Sequence, residues 1–446
     1  MPRKSLQPPR RVKRGGHSTH WLGGGVAALA AVCGGSWLWT SHVATGELEC
    51  GPADALHLSE LPMHGFHVLQ SPEAPCSDAG AASAVAVHVD GFVSPASLVN
   101  VSCDTDAGGW LDEVTSGVSA AVAQTRPLHR QLLSETGALS DAALRERAER
   151  LGHADRFAYF TPHGTQLETA AELIRALTEC HTVYGIEGGA FMWPGIRVGY
   201  NRALDGNVTM TTRSLAPLAF TIEPLFTEAE AAAIVAEAEP KLERSRIESG
   251  SDRGGSVSQG RTSTQTTLGN GPARPSASTA EIEQRAARLL RTTINNGESL
   301  SVVSYKPGQR YNTHMDYFDV GQNGRMAPEV ARVTANGDRN RLATLVWTLQ
   351  APMAGGETHL PMSGTEPSSL DTPLDMNDDF YKEAFYSMCT NNKGVSIKPR
   401  VGRSILFYNL RPDGAVDPFS IHTGCPPTGS DSKVAANKWF WSKPTW

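Results

Sequence analysis

A histidine and an aspartate stand two residues apart in the segment YKPGQRYNTHMDYFD, just after a Pro-Gly pair. In a β-strand, side chains at i and i+2 point to the same face, so His314 and Asp316 can converge on one object. Such a pair alone is more often two polar residues facing water. The sequence supplies a third group, because His422 follows a predicted strand and turn near the C-terminus. Two imidazoles and one carboxylate are the ligand set of non-haem Fe(II) oxygenases, and the lack of a thiolate disfavours structural zinc.

The composition is that of an ordinary globular protein. The 446 residues are enough for two domains, and 40% of them are hydrophobic, so a sizeable core can be buried. The net charge is -6, and charges of both signs are mixed along most of the chain. We therefore expect no nucleic-acid partner.

The N-terminus departs from this average. A strongly basic stretch at residues 1–14 precedes WLGGGVAALAAVCGGSWLWT, which carries no charge. A helix of this length spans about 30 Å, the thickness of the hydrocarbon core of a bilayer. The basic flank and the tryptophans at the ends of the run predict an uncleaved signal anchor with a cytoplasmic N-terminus. A cleaved signal peptide and a buried helix are the alternatives.

Other features of the sequence agree with a lumenal location for the rest of the chain. One of the seven cysteines, Cys33, lies in the apolar run, and the even number that remains suggests disulfides, with free buried thiols as the alternative. Asn100 and Asn207 begin N-glycosylation acceptor patterns. Small residues recur every four positions in the apolar run, which raises the possibility of a homodimer.

The chain divides into five predicted segments. A second domain begins near Pro217, where a strand is followed by a helix that Thr227 caps and that Pro240 kinks or ends. The Gly-, Ser- and Thr-rich residues 251–276 predict a mobile loop, and the strands that follow predict a β-sandwich or jelly roll. The segments are a basic cytoplasmic tail (1–20), a transmembrane anchor (21–41), a stalk (42–82), a mixed α/β region (83–214) and a catalytic domain (215–446).

Four sequence blocks of the second domain occur in an order that is typical of one enzyme family. They read YKPGQRYNTHMDYFD, GGETHLP, KPRVGRSILFYNL and IHTGCPPTGSDSKVAANKWF. In this order they resemble the prolyl 4-hydroxylase branch of the Fe(II)/2-oxoglutarate-dependent dioxygenases. The resemblance covers about half the chain and implies an α+β protein, in which a double-stranded β-helix (jelly roll) backed by helices follows the transmembrane helix and a smaller mixed domain.

The resemblance also implies roles for individual residues. The implied Fe(II) ligands are His314, Asp316 and His422. The residues implied to bind 2-oxoglutarate are Lys433, Tyr305 and Thr358. The residues implied to line the substrate groove are Tyr311, Arg341 and Trp439. A dicarboxylate that enters an apolar cavity needs a fixed cation at its far end, which Lys433 can supply.

Three departures from the family pattern bear on these roles. His359 stands where the family has an apolar residue, and strand alternation should aim it away from the face of Thr358. One extra residue separates His422 from Lys433. Phe440 and Trp441 stand where the family often has a histidine near the substrate, so the peptide preference stays open.

The implied reaction is the hydroxylation of peptidyl-proline with O2 and 2-oxoglutarate, giving succinate and CO2, with L-ascorbate as a further cofactor. We expect a type II membrane enzyme of the endoplasmic reticulum or Golgi, with proline-rich secretory proteins as substrates. Two alternatives stay open: an oxygenase for another residue or a small molecule, and a catalytically silent binding module.

Overall fold

The computed structural model describes most of the C-terminal two thirds of the chain and the backbone of three earlier strands. The described residues are 67–70, 82–89, 97–102 and 158–444, without 181, 187–189, 205, 247–259, 272–273, 319–327, 365–388, 390–393 and 413. The predicted tail, anchor and most of the stalk lie outside these residues. No helix within them is long and apolar enough to cross a bilayer.

A six-stranded antiparallel sheet forms from the first described elements. Its strands lie side by side in the order β3-β2-β1-β6-β4-β5. They are β1 (His67–Gln70), β2 (Ala82–Val89), β3 (Ser97–Ser102), β4 (Ala158–Phe160), β5 (Gln166–Leu167) and β6 (Thr182–Ile186), with helix α1 (Ala170–Glu179) before β6. Thr169 and Glu172 form a capping box at the start of α1, which explains where the helix begins.

The rest of the described chain is dominated by strands. They are β7 (Asn201–Ala203), β8 (Thr209–Leu215), β9 (Leu218–Glu223), β10 (Glu243–Arg244), β11 (Thr264–Leu268), β12 (Leu300–Tyr305), β13 (Tyr311–His314), β14 (Arg341–Gln350), β15 (Thr358–Leu360), β16 (Val395–Ile397), β17 (Ser404–Tyr408), β18 (His422–Gly424) and β19 (Lys433–Trp441). Three helices accompany them: α2 (Glu228–Ala238), α3 (Ala280–Leu289) and α4 (Pro328–Val333).

These strands form two sheets. The large sheet has the order β10-β11-β12-β19-β14-β17-β9-β8-β7, and the small sheet has the order β13-β18-β15-β16. Side chains between the two sheets, such as Val346 and Ala435, form one apolar cluster. The opposite face of the large sheet, with Trp347 and Ala436, packs against α2 and α3. The predicted jelly roll backed by helices is therefore confirmed.

The helix that follows β9 begins and ends where the sequence predicted. Thr227 and Glu230 form a capping box at the start of α2. The α-helix ends at Ala238, and the next turn, which contains Pro240, is a 3-10 helix. Proline has no N–H to continue the α-helical pattern, so the change of helix type at this point follows from the sequence.

The segment predicted as a mobile loop contains a strand. Residues 264–268, within the predicted loop 251–276, form β11 and pair with β12 in register. The prediction was wrong at these residues because it counted the threonines, together with glycine and serine, as loop-forming residues. Threonine is β-branched and favours strands when a neighbouring strand is available.

The large sheet runs across the boundary predicted near residue 215. Strands β8 and β9 lie on either side of that boundary and pair along most of their length. The indole N–H of Trp193 donates to the carbonyl of Leu289 at 2.8 Å, and Trp193 N–H donates to the hydroxyl of Tyr408 at 2.9 Å. Residues from the predicted mixed region therefore share a core with the predicted catalytic domain, and a functional division at 215 stays a prediction.

Candidate metal centre and co-substrate cavity

Two histidines face each other on neighbouring strands of the small sheet. His314 on β13 is the register partner of His422 on β18, and their ring centroids are 4.2 Å apart. The Nδ1 atom of His314 lies 2.8 Å from the carbonyl of Asn312, and that of His422 lies 3.0 Å from the carbonyl of Ser420. A carbonyl only accepts, so each Nδ1 carries the hydrogen. In the neutral form of each ring, Nε2 then keeps a lone pair that can bind a metal.

The carboxylate of Asp316 completes this cluster. Its Oδ1 lies 3.7 Å from His314 Nε2, and its Oδ2 lies 3.5 Å from His422 Nε2. One donor atom from each of the three residues lies within 4.8 Å of the others. The spacing of the two residues predicted that Asp316 follows His314 along one strand. In the structure β13 ends at His314, and Asp316 lies in the bend that follows. The convergence is as predicted, whereas its cause is not the pleat of a strand.

The protonation states suit a divalent cation. Burial and the neighbouring His422 lower the pKa of His314 to about 3, so its imidazole is neutral at pH 7. The pKa of Asp316 is lowered to about 2. Burial alone would raise it, but the neighbouring His422 and His314 outweigh the effect of burial. Neutral imidazole and carboxylate are the donors that Fe(II) takes in this type of site. The residues present therefore fit an Fe(II) ion.

A cavity of about 390 Å3, which includes space open to solvent, extends from the two histidines. Val303, Val346 and Ala435 give it apolar walls. The predicted co-substrate residues that line it are Tyr305, Thr358 and Lys433. The structure thus brings all three into one space with His314 and His422.

Lys433 is a buried cation in this cavity. It is 4% exposed, and among the described residues no hydrogen bond or salt bridge to its Nζ is found. Burial lowers the pKa of Lys433 to about 8, against the opposing charge of Glu357. A lysine in such surroundings gains from an anionic ligand, because the ligand would replace the water that the ammonium group has lost.

Comparisons with known proteins agree with this geometry. A model of the 2OG-Fe(II) oxygenase superfamily matches residues 300–441. The chain is 32% identical over 227 residues to probable prolyl 4-hydroxylase 3 of Arabidopsis thaliana, covering 51% of this chain and 68% of the relative. It is 31% identical over 224 residues to prolyl 4-hydroxylase 2 of the same plant, covering 50% and 67%. The chain belongs to the prolyl 4-hydroxylase family. It is a 2-oxoglutarate-dependent dioxygenase, and its cofactor and co-substrate are Fe(II) and 2-oxoglutarate.

A solved structure is also similar to this dioxygenase. It is the viral collagen prolyl hydroxylase of Paramecium Bursaria Chlorella virus-1 with bound 2OG, at 24% identity and a TM-score of 0.33. The similarity covers 50% of this chain and 95% of that chain.

The two glycines of GGETHLP explain how this strand approaches the cavity. Gly355 and Gly356 have φ angles of 74° and 75°, which side-chain-bearing residues rarely adopt. A Cβ on Gly355 would lie 2.4 Å from the carbonyl oxygen of Pro426. A Cβ on Gly356 would lie 3.3 Å from Cδ of Lys433. The pair therefore lets the chain turn tightly against the segments that carry His422 and Lys433.

Two of the predicted substrate-groove residues lie beside Asp316 rather than along the cavity. Arg341 donates to both carboxylate oxygens of Glu298, at 2.6 and 2.8 Å, and to the carbonyl of Asp316 at 3.1 Å. Its guanidinium lies 4.2 Å from the ring centre of Trp439 and 4.9 Å from that of Phe318. Arg341 thus connects an aromatic surface to the metal-site backbone, and its contact with a substrate stays a prediction.

Tyr311, the third predicted groove residue, packs directly on a candidate metal ligand. Its ring stacks on the imidazole of His314 with centroids 3.6 Å apart and an interplanar angle of 24°. The guanidinium of Arg261 lies 4.6 Å from the centre of the same tyrosine ring. Burial raises the pKa of Tyr311 to about 12, so it keeps its hydroxyl hydrogen. Tyr311 lines the cavity as well, so it can restrain His314 and still face a ligand.

His359 and Cys425 lie next to residues of the site without lining its cavity. His359 is buried and its Nδ1 lies 2.7 Å from the hydroxyl of Ser396, whereas Thr358 lines the cavity. This alternation is what the sequence predicted for β15. Cys425, directly after β18, forms a disulfide with Cys389. Disulfide formation was expected, although the sequence could not choose the partners.

Sequence reasoning missed the residues that support Asp316. Thr344 donates to Asp316 Oδ2 at 2.9 Å, and Asn409 donates to Thr344 at 2.9 Å. In the sequence, Thr344 is one polar residue in the apolar strand RLATLVWTL. A polar group in a strand buried on both faces needs a partner, and that requirement was the available signal.

Proposed function

We propose that this dioxygenase is a prolyl 4-hydroxylase that hydroxylates C4 of peptidyl-proline in secretory-pathway proteins. In the reaction, peptidyl-proline, O2 and 2-oxoglutarate give peptidyl-4-hydroxyproline, succinate and CO2. The observation that carries the proposal is the cavity, because two histidines of the two-histidine, one-carboxylate cluster and the buried cation Lys433 line the same space. The Arabidopsis relatives named as prolyl 4-hydroxylases support the choice of proline.

In this proposal the far end of the cavity binds the co-substrate. Lys433 pairs with the distal carboxylate of 2-oxoglutarate, and the hydroxyls of Tyr305 and Thr358 donate to the same carboxylate. Burial raises the pKa of Tyr305, which keeps its hydroxyl a donor. The apolar walls exclude water, so each of these charge-assisted contacts is stronger than in solvent.

The near end would hold the metal through His314, Asp316 and His422. When bound, Fe(II) and 2-oxoglutarate would supply the electrons that activate O2. The chain itself fixes the donors: two carbonyls set the imidazole tautomers, and Tyr311 packs on His314. Such orientation of the three donors would limit loss of the metal.

The substrate peptide would approach beside Asp316. Proline-rich chains form a polyproline II helix, which docks on aromatic and arginine surfaces. Tyr311, and Arg341 with Trp439, give such a surface next to the metal cluster. L-ascorbate would keep the iron reduced, and a homodimer would pair through the predicted membrane spans.

We place the enzyme in the membrane of the endoplasmic reticulum or Golgi, with its catalytic part in the lumen. The apolar run at residues 21–41 supports the anchor. The Cys389–Cys425 disulfide supports an oxidising compartment. Asn207 is exposed, in the turn between β7 and β8, so its acceptor pattern is open to glycosylation. Expression in secretory cells should give a glycosidase-sensitive mobility shift that Asn207→Gln reduces.

Turnover with peptides tests the reaction. The full-length protein in detergent is incubated with Fe(II), 2-oxoglutarate, ascorbate and proline-rich peptides, and succinate and peptide mass are followed together. We expect peptide-dependent succinate and the mass gain of one oxygen atom on proline, both lost in His422→Ala. Iron binding and 2-oxoglutarate turnover without oxidised proline would move the substrate to another residue or a small molecule. No metal binding would leave a silent binding module.

A further inference from the structure

The carboxylate of Asp316 needs an orientation that the small sheet does not give it. His314 and His422 lie on paired strands, and each ring is fixed by a carbonyl two residues earlier. Asp316 lies beyond the end of β13 in a bend. Its side chain has two rotatable bonds, so contacts from elsewhere must set the plane of the carboxylate.

Two consecutive hydrogen bonds connect this carboxylate first to Thr344, in the large sheet, and then to Asn409, directly after β17. Asn409 Nδ2 donates to Thr344 Oγ1 at 2.9 Å, and Thr344 Oγ1 donates to Asp316 Oδ2 at 2.9 Å. Thr344 and Asn409 are both 0% exposed, so water does not compete for these groups. Buried contacts of this kind hold their geometry better than exposed ones.

The number of available hydrogens fixes the direction of both bonds. A carboxylate that binds a cation is ionised and only accepts, so the single hydroxyl hydrogen of Thr344 must go to Asp316. The hydroxyl oxygen of Thr344 can then only accept from Asn409. The side-chain NH2 of Asn409 must therefore face Thr344, because the reversed amide would place two oxygens together without a hydrogen between them.

Both supporting residues lie on fixed backbone. Asn409 N–H donates to the carbonyl of Leu342 at 2.8 Å, and the carbonyl of Asn409 accepts from Asp417 N–H at 2.8 Å. Thr344 lies within β14, which pairs with β17 on one side and β19 on the other. The large sheet therefore fixes the position of the Thr344 hydroxyl, and its hydrogen bond in turn fixes the carboxylate of Asp316 beside the small sheet.

We infer that Thr344 and Asn409 are positioning residues that orient the carboxylate of Asp316 for metal binding. The inference rests on the proposed function only in taking Fe(II) as the metal bound by Asp316. Loss of such a supporting partner typically weakens metal affinity by about 10- to 100-fold.

The test is an anaerobic calorimetric titration of the full-length protein with Fe(II) alone. Thr344→Val keeps the shape and removes the hydroxyl, and we expect it to weaken Fe(II) binding by about 10- to 100-fold. Thr344→Ser restores the hydroxyl and should restore the affinity. Thr348→Val is the matched control, since Thr348 lies on the same face of β14, is 1% exposed and makes no side-chain hydrogen bond among the described residues. It should bind Fe(II) like the wild type.

A second variant tests the order of the two residues. Asn409→Leu should weaken Fe(II) binding in the same direction, and the double variant with Thr344→Val should be no weaker than Thr344→Val alone, because Asn409 acts through Thr344. Thermal unfolding of the metal-free proteins shows whether each variant is folded. If Thr344→Val does not fold, the comparison of Asn409→Leu with the wild type decides.

Wild-type Fe(II) affinity in a folded Thr344→Val or Asn409→Leu protein would overturn the inference, and so would additive losses in the double variant. The titration contains neither peptide nor 2-oxoglutarate. A failure of peptide hydroxylation would therefore leave this result standing, and a failure of the positioning role would leave the proposed reaction standing.

Discussion

Strand β19 buries one lysine on each face, and the two lysines differ in how their charge is satisfied. Lys438, 0% exposed, faces α3, pairs with Glu283 and donates to the carbonyl of Glu298. Lys433, 4% exposed, faces the cavity and has no carboxylate partner among the described residues. The two are five residues apart, which places them on opposite faces of the strand.

A buried charge without a partner costs several kcal/mol, so the difference between the two lysines needs a reason. The fold supplies Lys438 with a carboxylate from a neighbouring helix, so this strand can accommodate a paired cation. The lack of such an ion pair for Lys433 within the described residues supports the proposal that it binds an anionic ligand. One face of β19 thus holds a lysine in a buried ion pair, and the other face holds Lys433, the residue proposed to bind the co-substrate.

Removal of the structural lysine should have the largest effect on folding. Lys438→Met leaves Glu283 buried without its partner, and loss of one member of a buried pair costs about 3–5 kcal/mol. We expect the free energy of unfolding, measured by urea denaturation, to fall by that amount. The double variant Lys438→Met with Glu283→Met should recover most of the loss, since it removes both charges. An unchanged free energy of unfolding in Lys438→Met would show that Lys438 does not stabilise the fold, so the two lysines of β19 would not differ in this respect.

Removal of the cavity lysine should affect binding and spare stability. Lys433→Met removes the cation proposed for the distal carboxylate of 2-oxoglutarate, and loss of one partner from a buried charge pair costs about 2–5 kcal/mol of affinity. This corresponds to a loss of about 30-fold or more in calorimetric affinity for 2-oxoglutarate. The free energy of unfolding should stay equal or rise, because a desolvated charge has been replaced by an apolar group. A large drop in stability at unchanged affinity would assign Lys433 a structural role.

The difference between the two faces of β19 could be predicted in part from the sequence. Strand alternation in KVAANKWFW places Lys433 and Lys438 on opposite faces, and the four ordered blocks indicated the jelly roll. The sequence could not show which lysine has a partner. Glu283 lies far along the chain on α3, so its pairing with Lys438 depends on how the helix packs on the sheet.

The metal cluster shows the same limit. The spacing of His314 and Asp316 predicted their convergence, but the explanation by strand pleat was wrong because the strand ends at His314. Asp316 is held by Thr344 and Arg341, which are distant in the chain. Identity of a ligand can thus be predicted from local pattern, whereas the contacts that orient it depend on tertiary structure.

The affinity for 2-oxoglutarate should fall as the pH rises above 8. Burial lowers the pKa of Lys433 to about 8 in the free enzyme. The anionic co-substrate binds the protonated lysine, so affinity is full below this pKa and falls about 10-fold per pH unit above it. Calorimetric titrations between pH 7 and 9 measure the effect. Lys433→Arg is the control, since arginine stays protonated over this range and should give a flat profile. A wild-type profile as flat as that of the variant would show that Lys433 is not the group that binds the co-substrate.

The smallest effect concerns two neighbours on β15. Thr358 lines the cavity and His359 faces away from it toward Ser396, so only Thr358 can donate to the co-substrate. Thr358→Val keeps the shape but removes one neutral hydrogen bond, which costs about 0.5–1.5 kcal/mol, or roughly 2- to 12-fold in affinity for 2-oxoglutarate. His359→Gln should leave that affinity unchanged, although the loss of its contact with Ser396 will lower thermal stability. The opposite result would mean that β15 presents its other face to the ligand. Because the two substitutions are adjacent in the chain, a difference between them reports the direction of each side chain rather than a general disturbance of the strand.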